Sequence, residues 1–518
     1  MKRFIVRYSV LLVLLLGCIS CNKFLDREPQ TALTQEQVYA KLENIEPLLS
    51  GLLTNWRNIH KDRGGFVFQL GTDETQQGAY QVMTDPDQSA LDKYGSYLAS
   101  SNNALTGQWN PRWPIVAAAA QAVFALENLK DASNETKRKE LLGEASFIRA
   151  AMMFELTQYW GRIPIVDAAR LTELGTGRQP LKDIYTQITA DLLTAVENLP
   201  ETQADKKNIT KYAALSLLGK VYLYAPDSSG FRDYEKAAGY FKQVIDSHKY
   251  QLVANFADLF DPTKPNSTES IYEFQFNNVY PDNNQIQWQM GSRALANIDG
   301  NCYFGGYDLL VPTKYCYSDA KDGGIWETGD LRKDASIRYD FTYKDSIHPT
   351  IPAGFGGDEL DPHVKKYEDP RTQGSLSFWY SGKDVFYLRY ADILLNYAEC
   401  LNETGKTAEA VQIVNDQIRR RAFGGTLPEA DRWSAAMNQE QFRKEVLDER
   451  MRELCFEGWR RMDLIRSGKF VELIKSRNKW AKESGTIQAY NQLYPIPLTE
   501  ILQNTDIPDT DQNPGYNH

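Results

Sequence analysis

At 518 residues the chain is long enough for two or three domains, or one large one, with an ample core. A formal net charge of −10 argues against nucleic acid or an anionic lipid surface as partner, and the cysteines beyond the first segment, Cys302, Cys316, Cys400 and Cys455, are too few for a disulfide framework. Aromatic residues make up 12% of the chain, with 29 Tyr and 10 Trp, an excess that bears on ligands.

The first segment reads as a secretory signal peptide. Lys2, Arg3 and Arg7 precede an apolar run from Val10 to Leu16 that is far shorter than the roughly 20 residues of a spanning helix. In "VLLLGCISCNKFLD" two cysteines each follow a small residue, Gly17-Cys18 and Ser20-Cys21, so either could be the lipidated residue of a lipoprotein. The Leu15-Leu16-Gly17 lead-in favours Cys18 on local pattern. An acylated cysteine would anchor the protein without any other contact with the bilayer.

Apolar periodicity predicts helices over 35–59, 115–129, 141–160, 181–199, 211–224 and 234–247, the third stopping at Gly161 and Pro164. From about 250 to 385 the character changes to short β-like pieces such as "SIYEFQF" among Pro, Gly, Asn and Asp clusters, and helices resume at Tyr390. Cys302 and Cys316 lie in this loop-rich stretch and could pair, whereas Cys400 and Cys455 read as small core residues.

Some helix pairs share a spacing. Tetratricopeptide repeats bring two antiparallel helices together at small residues in units of about 34. In "YLRYADILLNYAECLNETGKTAEAVQIVNDQI" Ala398 and Ala410 stand twelve apart as required, whereas Gly219 and Ala237 stand eighteen apart, a connecting loop six residues too long. The fold class is therefore mainly α: a tetratricopeptide-like helical-repeat scaffold carrying a large irregular, loop-rich region that would hold the ligand.

Several stretches together resemble the SusD/RagB family of outer-membrane nutrient-binding lipoproteins. They are "CNKFLDREPQ", "GEASFIRAAMMFELTQYWGRIPIV", "DYEKAAGYFKQVIDSHKYQLVANFADLFD", "FYLRYADILLNYAECLNETG", "LDERMRELCFEGWRRMDLIRSGKF" and "LYPIPLTEILQNTDIPDTDQNPGY", in the family's order and nearly end to end. The resemblance implies a signal peptide over 1–20, an N-terminal helical region over 21–265, and a C-terminal region over 266–518 that is irregular over 266–388 and helical after it. The family's anchor cysteine stands three residues before Phe-Leu-Asp, which points to Cys21 rather than Cys18. It further implies a non-catalytic protein at the cell surface that captures a glycan, or in some members a peptide, and delivers it to a SusC-like TonB-dependent transporter, with no cofactor.

Sugar binding asks for flat ring faces beside planar hydrogen-bonding groups. In the irregular region Tyr280, Asn283, Asn284, Gln287, Trp288 and Arg293 of "VYPDNNQIQWQMGSR", Tyr303, Phe304 and Tyr307 of "DGNCYFGGYD", and Trp326 of "GGIWETGD" supply both. Trp288 and Trp326 lead, because an indole flanked by polar or Gly residues fits no helix core. Asp73, Tyr80, Asn102 and Asn103 fall where family members often line the ligand site. Trp109 and Trp113 read as scaffold packing, and Trp379 and Tyr380 as strand or edge packing. The family often has an Asn near Ala120, which is absent here.

Signatures of chemistry are scarce. No two of the five histidines have metal-ligand spacing, and there is no phosphate loop or nucleophile elbow. Glu445, Glu449, Glu453 and Glu457 recur every four residues along one helix face, and neighbouring Arg450, Arg452 and Arg460 make ion pairing the expected role. The rival readings are an all-α glycoside hydrolase or lyase, which needs only two suitably placed carboxylates, and a scaffold that binds protein alone.

Overall fold

The computed structural model describes residues 33–129, 134–169, 176–298, 302–343, 346–347, 362–374 and 379–516. The leader, with Cys18 and Cys21, lies outside them. Six helices follow one another: α1 (Leu42–Ile59), α2 (Arg112–Asn128), α3 (Glu135–Trp160), α4 (Leu181–Asn198), α5 (Lys211–Tyr224) and α6 (Tyr234–Asp246). After the irregular region come α7 (Tyr390–Glu403), α8 (Thr407–Ile413) and α9 (Gln439–Leu454). Side-chain oxygens of Asn134, Thr210 and Asp233 accept the first free amides of α3, α5 and α6, which sets where these helices begin.

Each helix packs on the next from α2 to α6, and α6 packs on α7, so the stack runs unbroken past the insertion. Small residues set the close crossings. A Cβ on Gly219 would stand 2.5 Å from the Phe241 ring, so α5 and α6 could not approach as they do with any larger residue there. Ala398 and Ala410 are fully buried where α7 meets α8. The extra residues between Gly219 and Ala237 form a loop with one turn at Asp227–Ser229, closed by the Asp233 amide donating to the Tyr222 carbonyl at 3.2 Å.

The insertion leaves and returns through one antiparallel ribbon, β1 (Ser270–Phe274) with β2 (Val385–Arg389), in register Ser270↔Arg389 and Phe274↔Val385 with bulges between. Its apolar face meets α1: the Trp56 ring lies 5.5 Å from Tyr272, 5.1 Å from Phe274 and 4.8 Å from Tyr387. Cys302 and Cys316 do not pair. All four described cysteines are free and buried, Cys302 in a small cluster with Leu295, Phe304 and Phe341, and Cys316 in the main core.

The glutamate row, Glu449 and Glu453 on α9 and Glu457 in the turn after it, anchors the other face of the insertion. Glu449 pairs with Arg332 (2.8 Å), Arg419 (3.3 Å) and Arg452 (2.7 Å). Glu453 pairs with Arg332 (3.0 Å), Arg389 (2.7 Å) and Arg421, and Glu457 with Arg389 (2.7 Å) and Lys366 (2.9 Å). Burial alone would raise the Glu449 and Glu453 carboxyls, but the surrounding guanidinium groups outweigh it and hold both well below the usual range. Arg332, Arg389 and Lys366 come from the insertion or its ribbon, so the network ties loop to scaffold.

Candidate functional site

The end of α1 carries one flank of the site. Arg57 donates to Asp282 Oδ1 at 2.7 Å and to the Gln275 carbonyl at 3.2 Å, and the Lys61 carbonyl accepts the Gln285 amide at 2.8 Å. The loop 275–285 is thereby held on the scaffold. Asn284 then fastens it to the strand-like return of the insertion: its amide and that of Ser381 exchange hydrogen bonds at 2.9 Å each, and its side chain donates to the Lys383 carbonyl at 2.8 Å. Gly382 permits this approach, since a Cβ there would stand 2.2 Å from Asn278 Oδ1.

These contacts assemble a run of aromatic rings at the surface. Tyr280, 72% exposed, has its ring 6.3 Å from Tyr380, which stacks at 5.8 Å on Trp379, itself 40% exposed. Trp379 lies 5.5 Å from Trp288, on the short helix Ile286–Met290, and Trp288 lies 6.0 Å from Tyr307. The Arg63 guanidinium closes the run at 5.4 Å from the Tyr307 ring. Beside it the Gln81 side chain donates to the Tyr307 carbonyl at 2.7 Å, and Arg293 lies over Tyr80 at 3.4 Å. A contiguous set of part-exposed rings is unusual for a protein surface and makes this run the candidate site.

The sequence candidates divide. Tyr280 and Trp288 belong to the run, and Asn284 positions it from a buried site rather than facing outward. Gln287 is also internal, its amide donating to Thr372 Oγ1 at 3.0 Å. Trp326 is 1% exposed, with its indole N–H donating to the Cys316 carbonyl at 2.6 Å, so it packs the core instead of offering a face. Asp73 is fully buried between Arg460 (2.6 Å) and Arg477 (2.8 Å), which overcome the upward push of burial and hold its carboxyl below the usual range. Asn102 is a helix cap, accepting the Leu105 amide at 3.1 Å and donating to the Asp87 and Tyr97 carbonyls. Tyr303 is half-buried off the run, its ring edge-on to Phe304 at 5.0 Å. Arg293 flanks the run near Tyr80. Trp379 and Tyr380 belong to it although their sequence suggests strand or edge packing; they lie in a turn, not a strand, and stack on one another. Arg63 carries no sequence signal at all.

Two of the cavities elsewhere bear comparison. One of about 70 Å³ sits inside, bordered by His60, Gln69, Glu155 and Tyr387. A cleft of about 550 Å³ opens beside α7 and α9, but its charges cancel, with Arg443 on Glu403 at 2.7 Å and Lys469 on Glu472 at 2.8 Å, and its lining carries one ring, Tyr234. The first is lined with rings, Phe66, Phe68, Tyr159 and Tyr387 among them, but lies within the core and is too small for a sugar, and the second offers a single ring; the aromatic run sets part-exposed ring faces at the surface.

The fold, a repeat-like helical stack interrupted by a large insertion, is one the chain shares with solved structures. The chain belongs to the SusD family: the "SusD family" matches residues 268–516, and a SusD-like group described as "Starch-binding associating with outer membrane" matches 23–223. It is similar to SusD-like protein P25 of Formosa agariphila, 23% identical over 542 residues with 98% of each chain covered. A SusD superfamily protein from Bacteroides vulgatus superposes with a TM-score of 0.75 at 22% identity, covering 92% of this chain and 99% of that one. Surface glycan-binding protein A from Bacteroides thetaiotaomicron, solved in complex with laminarihexaose, has a TM-score of 0.72 at 17% identity, covering 90% and 98%. These structural likenesses show the fold.

Proposed function

We propose that this protein is a cell-surface lipoprotein of the outer membrane that binds a glycan without cleaving it and delivers it to a SusC-like TonB-dependent transporter. The observation that carries the binding step is the run Tyr280–Tyr380–Trp379–Trp288–Tyr307. Pyranose C–H faces stack on such rings, and side chains at the margins take the hydroxyls. Membership of the family supports the glycan and the transporter, as does the laminarihexaose bound to the related glycan-binding protein. The non-catalytic reading is supported by the fate of the most regular row of acids: Glu449, Glu453 and Glu457 are each held in buried ion pairs. Lipidation at Cys21 would tether the protein to the membrane, and the tether would keep it near the transporter at high effective concentration, so a modest affinity between them suffices.

The test is retardation of the chain truncated after Cys21 in native gels containing plant, fungal and host polysaccharides, with reducing ends assayed in the same samples. Retardation by one class without new reducing ends is expected, and Trp288→Ala should weaken it by at least about tenfold. New reducing ends would overturn the non-catalytic reading.

A further inference from the structure

Resting on the glycan-binding reading, we infer that the Tyr307 end of the ring run is a subsite for an anionic substituent, so that the preferred glycan carries carboxylates or sulfate esters. Arg461, inside the core, ends on neutral oxygens, but many arginines of this protein end on carboxylates: Arg57 on Asp282, Arg112 on Glu155, Arg149 on Asp191, Arg338 on Glu368. Arg63 does not. Its Nε and Nη2 both donate to one neutral oxygen, Gln88 Oε1, at 3.1 and 2.7 Å, and its guanidinium leans on the Tyr307 ring. Among the described residues no carboxylate lies within ion-pair distance of it. The amide fixes the orientation of the group and leaves its charge uncompensated.

A guanidinium presents five donors in a planar fork suited to the paired oxygens of a carboxylate or sulfate. Two of the three Arg63 nitrogens are committed to Gln88, which leaves Nη1 to meet the ligand. The ring contact holds the side chain at the edge of the platform, so an anion attached to a sugar stacked on Trp288 or Tyr307 would come within its reach. In a chain of net charge −10 an anionic ligand is repelled at long range. The preference must therefore come from this local contact.

The experiment measures affinity for matched glycans that differ only in charge: polygalacturonate with its carboxyl-reduced counterpart, and a sulfated galactan with its desulfated counterpart, beside neutral laminarin and xylan. The charged member of one pair should bind about tenfold more tightly than its neutral twin, and the pair that shows this distinguishes carboxylate from sulfate. The advantage should shrink with added salt. Arg63→Gln should collapse the charged-to-neutral ratio to about one, and Arg63→Lys should restore part of it, with thermal melts confirming that both variants fold. Equal binding of both members of each pair overturns the inference and leaves the glycan reading standing. A charge preference that survives Arg63→Gln overturns it too. Failure of every glycan to bind overturns both.

Discussion

The base of the insertion and its outer loops are built on opposite principles. At the base, Arg332, Arg389 and Lys366 are matched by Glu449, Glu453 and Glu457 with almost no exposure, so every charge has its partner inside the protein. At the outer loops the rings of Tyr280 and Trp379 stand in solvent, and Arg63 has only an amide to satisfy it. A satisfied network is rigid and silent toward ligands, whereas part-exposed rings and an uncompensated charge remain available. Loops can therefore afford a ligand-facing surface here because their roots are locked.

The largest effect should come from breaking the lock. Glu453→Ala would leave one net positive charge uncompensated in the buried network, because Arg332 keeps Asp330 and Glu449, Arg389 keeps Glu269 and Glu457, and Arg421 keeps only a share of Glu269; the loss should be about 3–5 kcal/mol. The urea midpoint should fall with the slope unchanged. If the midpoint holds, the network does not anchor the insertion. Acid attacks the scaffold in the same way at Glu155. It is paired with Arg112 at 2.9 Å and accepts the Trp56 indole N–H at 3.0 Å; burial would raise its carboxyl, but the Arg112 charge above all brings it down to about 2. Because the folded value lies below the unfolded one of about 4.3, its contribution is complete above about pH 5 and is lost as pH falls toward 2. That loss is on the order of 3 kcal/mol. Urea midpoints measured down this range should decline, and Glu155→Gln should flatten the part of the decline that Glu155 causes.

The same contrast explains what could be read from the chain. The helices were legible because apolar residues recur at helical spacing, and predicted 181–199, 211–224 and 234–247 match α4, α5 and α6 to within one residue at each end. That the glutamate row makes ion pairs was legible, but most of its partners were not: of the neighbouring arginines only Arg452 pairs with it, whereas Arg450 goes to Asp392 and Asp463, and Arg332, Arg389, Arg419, Arg421 and Lys366 arrive from distant parts of the chain. Asp73 was not legible either, since its partner Arg460 is 387 positions away and nothing local distinguishes a buried acid from an exposed one. Trp288 and Trp326 both stand among polar or Gly residues yet have opposite fates: Trp326 is packed into the core with its indole donating to the Cys316 carbonyl, whereas Trp288 stays part-exposed against Trp379 and Tyr307. Composition marks the loops that carry rings; only tertiary packing says which rings turn outward.

The smallest effect sharpens the platform itself. Tyr280 is the most exposed ring and stands at one end, where contacts contribute less than at a desolvated centre. Tyr280→Ala should change stability by less than about 0.5 kcal/mol, as surface substitutions do. It should weaken binding of a long oligosaccharide by about threefold, against at least about tenfold for Trp288→Ala. An oligosaccharide too short to reach from Trp288 to Tyr280 should be insensitive to Tyr280→Ala while remaining sensitive to Trp288→Ala. Titration calorimetry with a length series reads both. If the short and long ligands lose equally, the ring run is not one continuous surface, and Tyr280 acts through the Tyr380–Trp379 stack it leans on.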